Sequence, residues 1–371
     1  MACSVYPGLD CFVLEMDTAM MAFITAHLGK IISYVQMLTA MTNMVYRVVN
    51  ADNQEYLVKF YGRTPTRAHK SFYNTLAESL VDMEQESIWA KFLAEQGVGP
   101  IIVKSEPIGR IEEYLVNIKS VSGAMMHDAG VVKMVVDAIA KFHSLPIDQW
   151  RAPENVILWR RMDAWREKVD FAMQQPELAA DAELMQMLVE ADAMFAGRKR
   201  FVQDRLQIAR HAAHISLCHN DLQHGNVLIQ DAKIDGESRE VVRIVDYDYV
   251  GINYAAFDLA NYFCEWGFDY NGPVEESWRM NRSLYPSRAT QTEVLMYYLE
   301  RHFGMTSFGT GVIDEWLSMI DLMVPLVNLG WGYWLIVKSA SEFDTPPETV
   351  SFDYLAGAKE RLKLFLEWNR T

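Results

Sequence analysis

Paired cysteines, glycine-rich nucleotide signatures and a basic charge balance are all missing from this sequence. Its four cysteines (Cys3, Cys11, Cys218 and Cys264) make no CxxC pair and no zinc-like spacing. A disulfide framework is therefore not expected, and a reducing compartment is. No G-x-x-x-x-G-K-[ST] loop occurs, and Gly97-x-Gly99 and Gly309-x-Gly311 both lack the third glycine of a dinucleotide fingerprint. H-E-x-x-H and G-x-S-x-G are missing as well. Lys and Arg number 34 against 49 Asp and Glu, a net charge of −15. Such a chain is a poor general nucleic-acid binder, because phosphate binding needs a basic surface. The acidic excess reads first as a solvated surface, although it also suits a cationic substrate. No Lys or Arg precedes Lys30, so a signal-peptide n-region is lacking. The apolar stretch Ala19–Leu38 is interrupted by His27, Gly29, Lys30 and Gln36, which suits a helix followed by a strand better than a membrane span. The tail Trp368-Asn369-Arg370-Thr371 matches no prenylation or peroxisomal signal. The expectation is a cytoplasmic protein without membrane insertion.

What is present is ordinary globular composition, 50% apolar and 22% charged, with ten Trp and seventeen Tyr. At 371 residues the chain has room for two domains or one bilobal unit. Asp17 or Thr18 can cap a first helix whose apolar face includes Met20, Ile24 and Leu28, and Gly29 suits its end. Strand-like segments follow at Ile31–Leu38, Met44–Val49 and Glu55–Tyr61, with a hairpin turn at Asn50–Gln54. A long helical pattern then runs to Gln96 and stops at Gly97, before strands at Ile101–Lys104 and Ile111–Leu115. From about Asn117 the texture becomes helical. Val131–Leu145 ends at Pro146, and Leu184, Leu188, Ala191 and Phe195 recur at helical spacing. A β island returns at Val227–Ile229 and Val241–Val245. This order predicts an α+β, bilobal, protein-kinase-like plan. A β-rich lobe over residues 1–116 is followed by a mainly helical lobe over residues 117–371.

The chemistry concentrates in Cys218-His219-Asn220-Asp221-Leu222-Gln223-His224-Gly225-Asn226-Val227-Leu228. Asp221 and Asn226 have the D-x-x-x-x-N spacing of a kinase catalytic loop. In such a loop the Asp lies beside the acceptor hydroxyl and receives its proton, while the Asn turns back to give Mg²⁺ an oxygen. Twenty residues on, a predicted strand ends in Ile244-Val245-Asp246, which sets a carboxylate on the metal. Mg²⁺ takes one or two protein oxygens plus phosphate oxygens and water, so Asn226 and Asp246 suffice. His219 and Asn220 are read as loop hydrogen-bonders. In the first lobe, Lys59 sits mid-strand, where a cation is costly unless paired; phosphate and a helical Glu are the usual partners. Glu86 is the preferred Glu and Glu84 its rival. The turn Thr39-Ala40-Met41-Thr42-Asn43-Met44 stands where backbone N–H groups and the Thr42 hydroxyl can meet phosphate, though it contains no glycine.

These strings resemble the choline/ethanolamine kinase family. The resemblance is carried by Cys218–Leu228, by Ile244–Tyr249, and by the run from Asn253 through Phe257-Asp258-Leu259-Ala260-Asn261 to Cys264-Glu265-Trp266. It covers most of the chain and is most specific from Leu217 to Tyr270 and at Gly330–Val337. It implies an aminoglycoside-phosphotransferase-like fold that uses ATP and Mg²⁺ to make phosphocholine or phosphoethanolamine, the first step of the CDP-linked route to phospholipids. It further implies that Asp221 is the catalytic Asp, that Asn226 and Asp246 hold magnesium, and that Gln223 lies near the nucleotide. Thr42, Asn43 and Met44 would form the phosphate loop. Lys59 would contact ATP phosphate with Glu86 as partner, and Glu113 and Leu115 would form the adenine hinge. Asp258 would brace the catalytic loop. Family members are often homodimers.

A quaternary ammonium has no N–H donor, so only ring faces and a diffuse negative field can hold it; a primary ammonium instead needs acceptors. Trp331 and Trp334 lie three apart in Gly330-Trp331-Gly332-Tyr333-Trp334, on one helix face. By itself such a pair is usually core, but the resemblance makes it a wall of the substrate site. It adds Tyr249, Tyr270 and Tyr354 as cage tyrosines and Glu265 as the negative charge. Cys264-Glu265-Trp266 and Asp269-Tyr270 resemble the choline branch more than the ethanolamine branch. Three departures stand out. Thr39 and Ala40 replace loop glycine, Lys59 stands where animal choline kinases frequently have Arg, and Ser351 stands where a further cage tyrosine occurs, beside an insertion at Asp344-Thr345-Pro346-Pro347. Choline phosphorylation is the expected activity. An ethanolamine or dual kinase is the alternative, and an inactive kinase-like binding protein the remoter one.

Overall fold

The computed structural model describes residues 18–37, 44–61, 72–234, 236–343 and 352–369. The chain divides into two compact units, Met1–Asn117 and Ile118–Thr371.

The first unit opens with α1 (Thr18–Leu28) and three strands, β1 (Ile31–Met37), β2 (Met44–Asn50) and β3 (Glu55–Phe60). α2 (Phe72–Glu78), α3 (Met83–Glu95), β4 (Ile102–Glu106) and β5 (Gly109–Glu113) complete it. The strands form one antiparallel sheet in the order β1-β2-β3-β5-β4. β2 alternates strictly, with Met44, Tyr46, Val48 and Asn50 inward. That face packs with Val58, Phe60 and Ile111 on Phe23, Ile24 and Leu28 of α1, as a half-buried strand and an amphipathic helix require. The predicted long helix ending at Gln96 is instead two helices. Asp82 breaks the pattern by accepting from the Gln85 N–H at 3.1 Å, and so caps a new helix at Met83. Asp17, Cys3 and Cys11 lie outside the described residues.

The second unit contains β6 (Ile118–Ser120), α4 (Ala129–His143), α5 (Ile157–Ala172), α6 (Pro176–Ala179), α7 (Ala182–Ile208) and β7 (Ile215–Cys218). It continues with β8 (Val227–Ile234), β9 (Glu237–Ile244), β10 (Gly251–Tyr254) and α8 (Ala255–Glu265). α9 (Val274–Ser277), α10 (Arg288–Phe303), α11 (Thr310–Glu342) and α12 (Tyr354–Trp368) close the chain. β7 pairs with β10, and β6, β8 and β9 form a second small sheet. The sequence reading missed β6, β7 and β10, each only three or four residues long, too short for a period-2 signal. α4 begins two residues earlier than expected because Asp128 accepts from the N–H groups of Gly130 and Val131.

α11 is long and apolar enough to cross a membrane, alone in this among the described residues. Yet 83% of its most apolar window is buried within the protein. It packs on α5, α8, α10 and α12, the environment of a core helix.

Candidate functional site

The β8–β9 hairpin register assembles the acidic centre. Val227 pairs with Ile244 across β8 and β9, so the residues flanking that pair, Asn226 and Val245, meet: the Val245 N–H donates to the Asn226 carbonyl at 2.9 Å. This brings the end of the Asp221–Asn226 loop beside Asp246. The Asn226 amide donates to Asp221 Oδ2 at 2.9 Å and to the Asp221 carbonyl at 3.0 Å. Gln223 Nε2 donates to Asn226 Oδ1 at 3.3 Å, and Gln223 Oε1 accepts from the Gly225 N–H. Asn220 and Asp246 both have left-handed backbones, with φ of 65° and 66°. Such conformations are uncommon in non-glycine residues and are held only where the surroundings over-determine them.

At Asn220, Asp258 in the first turn of α8 supplies that constraint. It is 1% exposed and accepts from the His219 and Asn220 N–H groups at 2.8 and 2.7 Å, while His143 Nε2 lies 2.9 Å away. It braces the loop from behind. His219 Nε2 bonds the Val245 carbonyl, and the Leu222 N–H is held by Asn261. Burial, followed by the negative charges of Glu265 and Asp246, pushes the Asp221 carboxyl well above the ordinary carboxylate range. Cys218 and Cys264 are buried free thiols, and burial raises the pKa of both.

Next to this centre runs a belt of rings. Tyr249 lies 5.3 Å from Trp331, Trp331 5.9 Å from Trp334, and Trp334 6.1 Å from Tyr354. Trp334 Nε1 donates to the Tyr249 hydroxyl at 2.6 Å, fixing both rings. Phe352 continues the belt from Tyr354 to Tyr270, and Trp165 packs against Tyr249 and Trp331. The structure thus brings together all five aromatic residues picked from the sequence. Asn220 Nδ2 donates to the Tyr249 carbonyl at 2.9 Å, joining the belt to the loop that carries Asp221. Glu265 is 1% exposed, and its charge is answered by Arg361 at 2.7 Å and by the Tyr270 hydroxyl at 2.7 Å. Arg361 had no sequence signal of its own; nothing in a helical pattern marks which basic residue turns inward.

In the first unit, Lys59 Nζ lies 3.6 Å from Glu86 Oε1, with both side chains buried. Glu84 is exposed. Arg110 hydrogen-bonds the same Glu86 oxygen, its Nε donates to Glu112 at 2.8 Å, and the Tyr61 hydroxyl donates to Glu86 at 3.1 Å. Arg110 was missed, although the argument applied to Lys59, a cation within a strand, applies to it equally. Met44 faces the hydrophobic core beside Phe60. Glu113 and Leu115 are half-buried, and the Glu113 N–H donates to the Ile101 carbonyl at 2.9 Å. Thr39, Ala40, Thr42, Asn43, Ser351 and Asp344–Pro347 lie outside the described residues.

The oxygens of Asn226 and Asp246, one amide and one carboxylate, are hard donors of the kind Mg²⁺ takes. The acidic neighbourhood felt by Asp221 also favours a divalent cation there.

The family model for choline/ethanolamine kinase matches residues 35–366. Among curated proteins, the probable choline kinase 2 of Arabidopsis thaliana is 25% identical over 343 residues, covering 91% of this chain and 85% of that one. The human choline/ethanolamine kinase is 22% identical over 331 residues, covering 88% and 78%. The crystal structure of choline kinase from Cryptosporidium parvum Iowa II superposes with a TM-score of 0.73 at 20% identity, over 95% of this chain and 96% of that one, which shows a shared fold. With the family pattern spanning nearly its whole length, the chain belongs to the choline/ethanolamine kinase family.

Proposed function

We propose that this protein transfers the γ-phosphoryl group of ATP to the hydroxyl of choline, giving phosphocholine and ADP. The observation that carries the reading is the Asn220–Tyr249 hydrogen bond, which ties the Asp221 loop and the aromatic belt into one body. Acceptor hydroxyl and cationic head are then held by connected parts. Such positioning, together with charge neutralisation, supplies most of the catalysis in phosphoryl transfer.

In this reading the first unit is the nucleotide-binding lobe and the second the catalytic and substrate-binding lobe. Lys59, kept in place by Glu86, meets ATP phosphate. Thr42, Asn43 and Met44 form the phosphate loop, Glu113 and Leu115 receive adenine, and Gln223 lies near the nucleotide. Asn226 and Asp246 hold Mg²⁺, which neutralises phosphate charge when bound. Asp221 orients the choline hydroxyl and takes its proton late, because an alkanol is too weak an acid to ionise first. Trp331, Trp334, Tyr249, Tyr270 and Tyr354 receive the trimethylammonium head.

The choline reading is favoured over ethanolamine by Glu265. A primary ammonium needs strong acceptors, and this carboxylate is already engaged by Arg361 and Tyr270. The negative charges of Asp248, Asp221 and Asp246 act on the Tyr249 hydroxyl in the belt, and in this reading they supply the field for the cation. The test is initial-rate phosphorylation of choline and of ethanolamine at matched concentrations with Mg-ATP, read by ADP release. Choline is expected to react with the higher kcat/KM. Preference for ethanolamine, or no ADP release with either, overturns the reading.

A further inference from the structure

We propose that Lys338 is a specificity-determining residue of the cation site, a tethered ammonium that competes with the substrate's own cation for ring surface. The inference rests on the choline reading above and deepens it. Lys338 lies on α11 one turn beyond Trp334 and two turns beyond Trp331. It is 7% exposed. Its Nζ stands 5.8 Å from the Trp334 ring centroid and 5.7 Å from that of Tyr354, within cation–π range of both. These two rings are neighbours in the belt at 6.1 Å, and Trp334 is prevented from turning away by its hydrogen bond to Tyr249.

The other basic side chains near the belt lie over other rings. Arg361 lies over Phe268 and is bonded to Glu265, while Arg161 lies over Trp165 and Tyr249 and donates to the Tyr249 carbonyl. Among the described residues, Lys338 is the basic residue over Trp334 and Tyr354, two of the rings proposed for the substrate. A ring face holding one cation attracts a second less, because the two cations repel at short range in a poorly hydrated site. The cost falls hardest on a trimethylammonium. That group is bulky and has no N–H, so it depends wholly on ring contact, whereas a primary ammonium is smaller and loses less ring contact. Lys338 therefore weakens choline binding and narrows the preference for choline over ethanolamine.

The test is Lys338→Met, which keeps the apolar stem and removes the charge, alongside Lys338→Arg, which keeps the charge. In Lys338→Met the choline KM should fall about fivefold or more while the ATP KM stays put, a size set by loss of one competing cation–π contact. The choline-to-ethanolamine ratio of kcat/KM should rise. The dissociation constant of tetramethylammonium, measured by calorimetry, should fall in parallel. Lys338→Arg should remain close to the wild type in all three. An unchanged or raised choline KM in a folded Lys338→Met protein overturns the proposal, and Lys338→Gln serves the same purpose if the Met variant does not fold. Failure of the wild type itself to phosphorylate choline would instead sink the function reading, so the two failures are told apart.

Discussion

Lys59 and Arg110 stand opposite each other in the β3–β5 register, and both direct their charge at the one carboxylate of Glu86. Glu112 takes a further share of the Arg110 charge, so among the described residues these four side chains form one buried charge network. Glu86 thus holds Lys59 through a carboxylate shared with Arg110.

The network predicts the behaviour of Glu86→Gln. Removing one anion strands buried positive charge, a change that typically costs ~3–5 kcal/mol. Urea unfolding should show a loss of that order, and the ATP KM should rise more than the choline KM. A variant as stable as the wild type would mean that solvent already reaches the cluster.

Asp221→Ala should abolish turnover while ATP still binds, since the proposed role of this carboxylate is on the acceptor hydroxyl. Calorimetric titration with ATP alongside the ADP-release assay separates the two effects. Normal turnover would remove Asp221 from the catalytic role.

Trp331→Ala should raise the choline KM much more than the ATP KM. A desolvated cation–π contact is worth ~2 kcal/mol, which corresponds to about thirtyfold in binding. Equal effects on both substrates would make Trp331 a packing residue.

His214 and His302 touch through their Nε2 atoms at 2.9 Å. Burial lowers their pKa values to about 4 and about 3. Both are neutral in the folded protein at pH values where the unfolded chain already protonates them near 6.5. The unfolded state therefore binds more protons, and stability present above pH 6.5 is lost progressively as pH falls toward 4. The urea midpoint of His302→Gln should decline less between pH 7 and pH 5 than that of the wild type. Parallel declines would show that this histidine titrates normally.

The chemistry was legible where it depends on local order. The Asp221-to-Asn226 spacing, the strand-ending Asp246 and the three-residue step from Trp331 to Trp334 are written within short segments, and the structure gathers them as those segments imply. Partners supplied from far along the chain were not legible. Arg361 reaches Glu265 across 96 positions, and Arg110 reaches Glu86 across 24. A basic residue on a helix or strand has the same local pattern whether it points to water or to a buried carboxylate. The break between α2 and α3 was missed for a related reason. Asp82 is an ordinary polar residue in a helical pattern until its side chain is seen to take the Gln85 N–H.

Trp331, Trp334 and Lys338 occupy one stripe of α11, whose most apolar window is 83% buried among its neighbours. Successive residues advance by about 100° around a helix axis, so the three positions share a phase. Single substitutions on the stripe can retune the ligand without disturbing the fold. Adding or deleting one residue between Pro325 and Trp331 would swing all three out of alignment together, and the lineage should therefore vary here in letters but not in length.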